Sequence, residues 1–326
     1  MSLWVSIVIP VYNEGPRVLP ALERILREVT LPCEILCVHD TPDDTTVPYV
    51  RQVSERDSRV RAVLNTYGRG PANAIRFGID AARAPVTVVT MADGSDDPRQ
   101  IDDLARLVDR GVVVAAASRY MPGGQQVGGP RIKGMLSRLA GRSLRLLCRV
   151  GTRDATNSFK AYSTEFVRQV GIESRAGFEI GLELTAKATR LRLPVAEIPT
   201  IWLDRALGES NFDLNRWIPK YLRWYFFAFG RRMTMEQMVA RRRAHEAATG
   251  QPPQVTPISP VPPPDTLPPQ ARSHNGALIW PGAFDVSTVT SEADSEAAAE
   301  SLNGESTTSD AEAGQTVQAL QEAPRP

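Results

Sequence analysis

In the first third of the chain, Asp93-Gly94-Ser95-Asp96-Asp97 puts three carboxylates and a hydroxyl into one short turn. Hard divalent cations such as Mg2+ or Mn2+ take oxygen ligands, so a turn of this kind is suited to hold one. Acidic turns also occur with no ligand, and the cluster needs a context before it means chemistry. A second set of residues is basic: Arg131, Lys133, Arg138, Arg142 and Arg145 follow one another with no acid among them. Cations in this density suit phosphate groups, although a solvated helix face would carry the same charges. Glu179 and Glu183 are carboxylates that could act as a general base.

The elements around these groups alternate. Val5–Val11 reads as a β-branched strand ended by Tyr12-Asn13-Glu14-Gly15, and Arg17–Val29 as a helix with Val18, Leu22, Ile25 and Leu26 on one face. Further strands are expected at Glu34–Val38, Val60–Leu64, Val86–Met91 and Val112–Ala117, with helices at Ala72–Ala82 and Ile101–Asp109 between them. Such β-α-β alternation, with strands that read as continuous apolar runs, predicts an α/β fold with a mostly parallel sheet covered by helices. Ligands of such sheets bind beyond the carboxyl ends of the strands. Asp40, Asp93 and Ser118-Arg119 all stand at strand ends in this reading. The second half continues with a basic helix over Ile132–Cys148, a loop and short strand over Asp154–Tyr162, a helix over Phe178–Thr189 and a strand over Val195–Trp202.

The chain has 326 residues, of which 42% are hydrophobic, enough to bury a substantial core. Its net charge of +1 hides an asymmetry. From His245 on there are 11 acids and two basic residues, Arg272 and Arg325, which leaves 36 basic and 26 acidic residues before it. The three cysteines, Cys33, Cys37 and Cys148, suggest no disulfide framework and favour a reducing compartment. There is no apolar run of the ~20 residues that would span a bilayer. Neither a zinc pattern nor a basic stripe with interleaved aromatics argues for nucleic acid, and no nucleic-acid partner is expected. From residue 247 the composition turns Pro-rich and then rich in Ser, Ala and Glu, and the segment 247–326 reads as a disordered tail.

The order of short blocks is more specific than any one of them. Val5-Ser6-Ile7-Val8-Ile9-Pro10-Val11-Tyr12-Asn13-Glu14 resembles the opening strand of the family 2 glycosyltransferases. Val38-His39-Asp40 through Thr46, Asn65-Thr66-Tyr67-Gly68-Arg69-Gly70 with Ala74 and Gly78, and Ala117-Ser118-Arg119-Tyr120 are similar to that family's next blocks. Asp154 through Tyr162, and Glu197-Ile198-Pro199 with Arg205, Gly208 and Ser210, resemble blocks of the dolichol-phosphate and polyprenyl-phosphate sugar transferases. The resemblance implies a GT-A-type fold over residues 1–215, with 216–246 as an appended aromatic and basic helical segment.

It also implies roles. Pro10, Tyr12 and Glu14 would line the nucleoside pocket of a GDP- or UDP-sugar donor, and Asp40 would hydrogen-bond the base. Asp93, with Ser95 beside it, would hold the Mg2+ or Mn2+ that bridges the donor diphosphate. Arg119 and Arg205 would hold phosphates in the reacting centre, and Lys133, Ser137 and Arg205 those of a lipid-phosphate acceptor. Ser137 lies one helical turn after Lys133 and can share its face. A phosphate monoester is already an anionic nucleophile and needs positioning more than a base. The reaction implied is inverting transfer of a hexose to a polyprenyl or dolichyl phosphate. The alternatives are an alcohol acceptor, for which Glu179 or Glu183 would be the base, and a non-catalytic nucleotide-sugar-binding protein. Two residues depart from the pattern: Met91 stands where an acid is usual, and a thioether is a poor ligand for a hard cation. Asp96 or Asp97 could compensate. His39 replaces a frequent acid beside Asp40 and reads as a polar loop residue.

Trp217–Phe229 is too short to span a bilayer but suits its interface: it carries Trp217, Tyr221, Trp224, Tyr225, Phe226, Phe227 and Phe229 with Lys220 and Arg223. A core helix closing the domain would show the same residues. The expected place is the cytoplasmic face of a membrane, with the tail as a place where a membrane-protein partner could bind.

Overall fold

The computed structural model describes residues 4–129, 131–175, 177–204 and 214–250; of residues 131–133 and 214–217 it describes the backbone. Strands β1 (Val5–Val11), β2 (Cys33–His39), β3 (Val60–Leu64) and β4 (Val86–Val89) form the first half of the sheet. Helices α1 (Val18–Glu28), α2 (Val47–Arg56) and α3 (Pro71–Ala81) connect them. Then come α4 (Ile101–Asp109), β5 (Val114–Ser118), β6 (Gln125–Val127), α5 (Arg131–Cys148), β7 (Lys160–Ser163), α6 (Thr164–Val170), α7 (Ile180–Leu191), β8 (Val195–Pro199), β9 (Ile201–Leu203), α8 (Leu214–Ala228) and α9 (Met235–Thr249).

Seven strands make one sheet in the order β3-β2-β1-β4-β7-β5-β8, and β6 pairs with β9 in a small second sheet. All pairings in the large sheet are parallel except those of β7, which runs antiparallel between β4 and β5. Strands β1 and β2 are buried along almost their whole length because helices cover both faces, which is why they read as unbroken apolar runs. One apolar cluster lies under α1 and α4, around Ile7, Ile9, Leu22 and Ile35; another lies under α3, α6 and α7, around Val8, Val38, Ile75 and Leu184. Helix α3 packs so close to the sheet that a Cβ on Gly78 would stand 2.4 Å from a Val8 methyl.

The expected strands and helices of the first half stand where the periodicity put them, shifted by a few residues at their ends. Helices α2, α6 and α9 and strand β6 were not anticipated. The expected boundary at residue 247 falls inside α9, which ends at Thr249 with Gly250 in the left-handed conformation. The boundary at 215 likewise falls inside α8. Residues 251–326 and Arg205 lie outside the described residues. No described helix is long and apolar enough to cross a membrane.

Candidate active site

A pocket of about 1210 Å3 opens beyond the carboxyl ends of β1, β2, β4 and β5 and continues between α5 and α8. Pro10, Tyr12, Glu14 and Asp40 line one end, Asp93, Ser95, Asp96 and Arg119 its middle, and Ser137, Thr156, Tyr221 and Tyr225 the other. The structure therefore gathers Pro10, Tyr12, Glu14, Asp40, Asp93, Ser95, Arg119 and Ser137 around one pocket, whereas Arg138, Arg142 and Arg145 do not line it: Arg138 stacks on the Tyr120 ring and Arg145 pairs with Glu197. The side chain of Lys133, like Arg205, is outside the described residues.

The first end is built by polar bonds between neighbouring loops. The turn after β1 puts Asn13 at φ 53°, and its N–H donates to both oxygens of the buried Asp44 carboxylate at 3.1 and 3.0 Å. The Glu14 N–H donates to Thr46 Oγ1 at 2.9 Å. These two bonds hold the Tyr12–Glu14 turn open, and the Tyr12 ring stands 66% exposed at the pocket mouth. Asp40 is oriented as firmly: Asn65 Nδ2 donates to Oδ1 at 2.8 Å and the Gly70 N–H to Oδ2 at 2.7 Å. Each carboxylate oxygen keeps a further lone pair for a ligand N–H. His39 is the last residue of β2 and buried, with Nδ1 2.8 Å from the Thr41 carbonyl oxygen, so it is not the loop residue expected.

At the middle, Asp93 Oδ1 accepts from the Ser95 N–H at 3.1 Å and from the Ser95 hydroxyl at 2.6 Å, so Ser95 orients the carboxylate. Asp96 is buried; its Oδ2 accepts from Thr90 Oγ1 at 2.9 Å and from the Met91 N–H at 3.3 Å. Burial, with the Asp93 charge adding to it, pushes the Asp96 carboxyl up to about 7. A cation placed between the two carboxylates would relieve that repulsion. Asp97 points elsewhere: it caps the next turn and pairs with Arg99, and so does not stand in for the missing acid. The Met91 side chain borders the pocket while packing against the apolar cluster under α3. Among the described residues no group of three or more His, Cys, Asp or Glu side chains is placed to hold a metal by itself. The oxygen donors present fit a hard cation that takes most of its ligands from a bound diphosphate and water, the usual habit of Mg2+.

Arg119, expected to hold phosphates, lines the pocket and is also engaged by a carboxylate. Its Nε and Nη2 fork the buried Asp154 carboxylate at 2.7 and 2.9 Å, and its own N–H adds a third bond at 3.0 Å. Burial would push the Asp154 carboxyl up, but Arg119 holds it below the usual carboxylate range. Lys160 lies under the same loop with Nζ on the carbonyls of Ala155 and Asn157, and burial pulls it down to about 7. Arg119 and Lys160 thus brace the loop that presents Thr156, Asn157 and Ser158 to the pocket. Ser137 Oγ meets Thr156 Oγ1, so α5 closes on that loop.

The candidate bases fare differently. Glu183 is fully buried, accepts the N–H groups of Glu173 and Ser174 at 2.7 and 2.9 Å and pairs with Lys187 at 2.7 Å. It is anchored in the structure and does not line the pocket; neither does Glu179, buried at the start of α7. Helix α8 has a packed side and an exposed side. Trp224 is 1% exposed, packed on Leu144, Leu182 and Ala186 with Nε1 donating to Ser174 Oγ at 2.9 Å, whereas Phe226 is 65% exposed. Sequence reasoning missed Arg69, Arg175 and Asp204 as pocket residues. Arg69 was inside a quoted block and Asp204 beside one; Arg175 had no local signal.

Residues 6–171, just over half of the chain, match the glycosyl transferase family 2 profile. The chain is 30% identical over 213 residues to the polyprenol monophosphomannose synthase of Mycolicibacterium smegmatis, covering 64% of this chain and 80% of that one. It is 29% identical to the undecaprenyl-phosphate mannosyltransferase of Micrococcus luteus, covering 63% and 86%. It is also 29% identical to the dolichol-phosphate mannosyltransferase of Pyrococcus furiosus, covering 68% and 64%. Among solved structures it resembles glucosyl-3-phosphoglycerate synthase from Mycobacterium tuberculosis in complex with Mn2+, uridine diphosphate and glucosyl-3-phosphoglycerate, with a TM-score of 0.52 at 16% identity over 70% of this chain and 81% of that one. The GT-A-type α/β fold expected from the sequence is the fold observed.

Proposed function

The chain belongs to glycosyl transferase family 2, and from the geometry of its pocket we propose that it transfers a hexose from a nucleotide-diphospho-sugar to a polyprenyl phosphate, with inversion. The observation that carries the acceptor is the chemistry of the pocket's far end. Its described lining from α5, the 154–158 loop, α7 and α8 has hydroxyls, an amide, a lysine, aromatic rings and apolar side chains, and no carboxylate; Asp204, after β9, is a pocket acid outside these elements. An alcohol acceptor would need a base there, whereas a phosphate monoester does not. The names of the three relatives point the same way, and to mannose as the sugar.

The roles follow the geometry. Tyr12 and Glu14 flank the nucleoside, and Asp40, held by Asn65 and Gly70, accepts from the base. Asp93, oriented by Ser95, would hold a divalent cation, with Asp96 behind it. When bound, that cation supplies charge stabilisation to the departing nucleoside diphosphate. Arg119 keeps the 154–158 loop in place through Asp154 and turns its remaining edge to the pocket. Ser137 and Thr156 offer hydroxyls to the acceptor phosphate, with Lys133 and Arg205 as its expected counter-charges. The catalytic body ends with α9, and the tail beyond it is dispensable for chemistry, with room for a membrane-protein partner.

The lipid chain would leave between α5 and α8. Both helices lack acids, and both turn apolar side chains outward: Met135, Leu139 and Leu146 on α5, Leu222, Phe226 and Phe229 around α8. Apolar side chains flanked by cations suit the cytoplasmic surface of a bilayer, where lipids are anionic. The test offers the purified enzyme polyprenyl phosphate and, separately, the matching free polyprenol, each with GDP-mannose and with UDP-sugars, with and without chelator. Transfer to the phosphate and none to the alcohol is expected. Transfer to the alcohol alone would overturn the reading.

A further inference from the structure

Just past the region that matches the family profile, the segment Glu173-Ser174-Arg175 touches three helices at once. Its backbone is fixed from below, since the N–H groups of Glu173 and Ser174 both end on the Glu183 carboxylate of α7. Its side chains reach in other directions. The Glu173 carboxylate, 3% exposed, accepts from Arg223 of α8 at 2.8 Å and from Arg241 of α9 at 2.9 and 2.8 Å, with Lys187 of α7 at 3.3 Å. The Ser174 hydroxyl accepts from Trp224 of α8. The Arg175 guanidinium borders the pocket and donates to the Thr249 carbonyl at the end of α9.

Helix α8 is thus held on one side by Arg223 and Trp224, while Tyr221 and Tyr225 on the neighbouring side form part of the pocket wall. Residues 223 and 224 lie between them in sequence, so any rotation of α8 that frees the former displaces the latter. Helix α9 is itself held elsewhere: Met238 is buried in the apolar cluster under α3 and α6, and Arg242 donates to the Arg168 carbonyl. Phe227 of α8 is clasped between Arg190 and Arg241, at 4.3 and 4.8 Å from its ring centre. Buried ion pairs seldom add stability over apolar packing, but their directionality can select one arrangement of the helices that meet there.

We infer that Glu173 is a positioning residue for the acceptor half of the pocket: by holding Arg223 and Arg241 together it locks α8 against α9 and sets where Tyr221 and Tyr225 stand. The inference rests on the proposed acceptor only for its kinetic consequence. Glu173 does not line the pocket, and among the described residues its side-chain bonds run to Arg223, Arg241 and Lys187, none of them at the nucleoside end.

Two variants and two readouts test this on the full chain. Glu173→Gln keeps the shape and removes the charge; Arg241→Met acts from α9, from a partly exposed side chain that does not line the pocket, and covers the case in which the first variant fails to fold. Hydrogen exchange is measured over residues 214–228, and kinetics with polyprenyl phosphate and GDP-mannose. Both variants should exchange faster in α8, and the double variant no faster than Glu173→Gln alone. KM for polyprenyl phosphate should rise roughly tenfold with donor KM unchanged, and Arg241→Lys should restore part of it. Unchanged exchange in α8, or equal rises in donor and acceptor KM, would overturn the inference. If wild type does not use polyprenyl phosphate, the acceptor reading fails, and the exchange result still decides the role of Glu173.

Discussion

The two ends of the pocket are built on different physics. Where the nucleoside end rests on β1, β2 and β4, the sheet interior is apolar, and polar groups enter only at strand ends, tied by bonds between neighbouring loops such as Asn13 with Asp44 and Asp40 with Asn65. The acceptor end rests on charges buried inside the protein: Asp154 with Arg119 and Lys160, Glu183 with Lys187, Glu173 with three cations. The first half buries acids too: Asp44 and Asp96 in loops at the pocket, Asp80 on α3, Asp102 on α4, and Glu34 at the opposite end of the strands from the pocket, with partners at Ser6, Arg61 and Arg83. One end is thus fixed by the apolar sheet and by bonds between neighbouring loops, the other by ion pairs to buried carboxylates. That difference predicts which changes remove activity, which unfold the chain and which do neither.

The largest effect is expected in the middle, where the ends meet. Asp93→Ala removes the carboxylate that Ser95 orients. Charge stabilisation of a leaving diphosphate is worth several kcal/mol, so turnover should fall on the order of a thousandfold. Thermal stability should stay near wild type, as measured by a melting scan beside the kinetics. Retention of full turnover, or full wild-type activity in excess chelator, would remove the cation from the mechanism. Met91→Asp is the companion: it should tighten Mn2+ binding, and an unchanged affinity would mean that the side chain at 91 faces the core.

Next come the buried pairs. Arg119→Met leaves Asp154, fully buried, without its fork, and removing one partner of such a pair costs about 3–5 kcal/mol. Arg83→Met also removes a carboxylate's partner, but Arg83 is 39% exposed and Glu34 keeps Ser6 and Arg61. Because Glu34 also keeps the Arg83 backbone N–H, the loss should be smaller, on the order of 1 kcal/mol. Urea midpoints of the two variants measure the contrast directly, and equal losses would erase the distinction between the halves.

A third effect is read from pH. Burial lowers Lys160 to about 7, below its ordinary value of 10.5, so between these limits the unfolded chain binds the proton that the folded chain has released. Stability from this group therefore rises with pH from about 7 toward 10 and is lost below 7 as the buried amine takes up charge. Lys160→Met should flatten that part of the stability profile; a profile of unchanged slope would show that Lys160 stays charged.

The same contrast explains what could be read from the sequence. Strands β1, β2, β4 and β5 are continuous apolar runs with an acid or Ser-Arg at the end, a local pattern that announces both the strand and the site. Asp40, Asp93 and Ser137 were legible for that reason, as neighbours of strand ends or of a helical repeat. The antiparallel insertion of β7 was not, since Lys160–Ser163 is four residues long and begins with a buried lysine. Nor was the partner of Arg119, because Asp154 stands 35 residues away. Glu183 looked like a base although Lys187 stands one helical turn on, an i,i+4 pairing that the sequence does show; only its backbone partners at 173 and 174 leave no periodic trace. Helix α9 is mostly polar, and only Met238 of it is buried, so its docking is visible in the fold alone.

The smallest effect, and the sharpest on the acceptor half, concerns α8. Its aromatic residues looked alike in sequence, yet Trp224 is core and Phe226 stands 65% exposed. Trp224→Ala should cost about 3–5 kcal/mol, the usual loss for a buried large aromatic, and therefore cannot report on membranes. Phe226→Ser changes a side chain with little to lose in the folded protein, so stability should stay within about 0.5 kcal/mol of wild type. If the outward face of α5 and α8 lies on a bilayer, that ring is buried there instead. A fully buried Phe contributes about 1.5–3 kcal/mol, so partial burial predicts a fall in affinity for anionic vesicles of roughly tenfold. Sedimentation with vesicles of phosphatidylserine and phosphatidylcholine measures it, and donor hydrolysis in solution should not change. Raising the salt should weaken binding further through the cations on α5, which carries no acid to oppose them. Vesicle binding that ignores both Phe226→Ser and salt would place the membrane contact on another surface and leave the exposed face of α8 without that role.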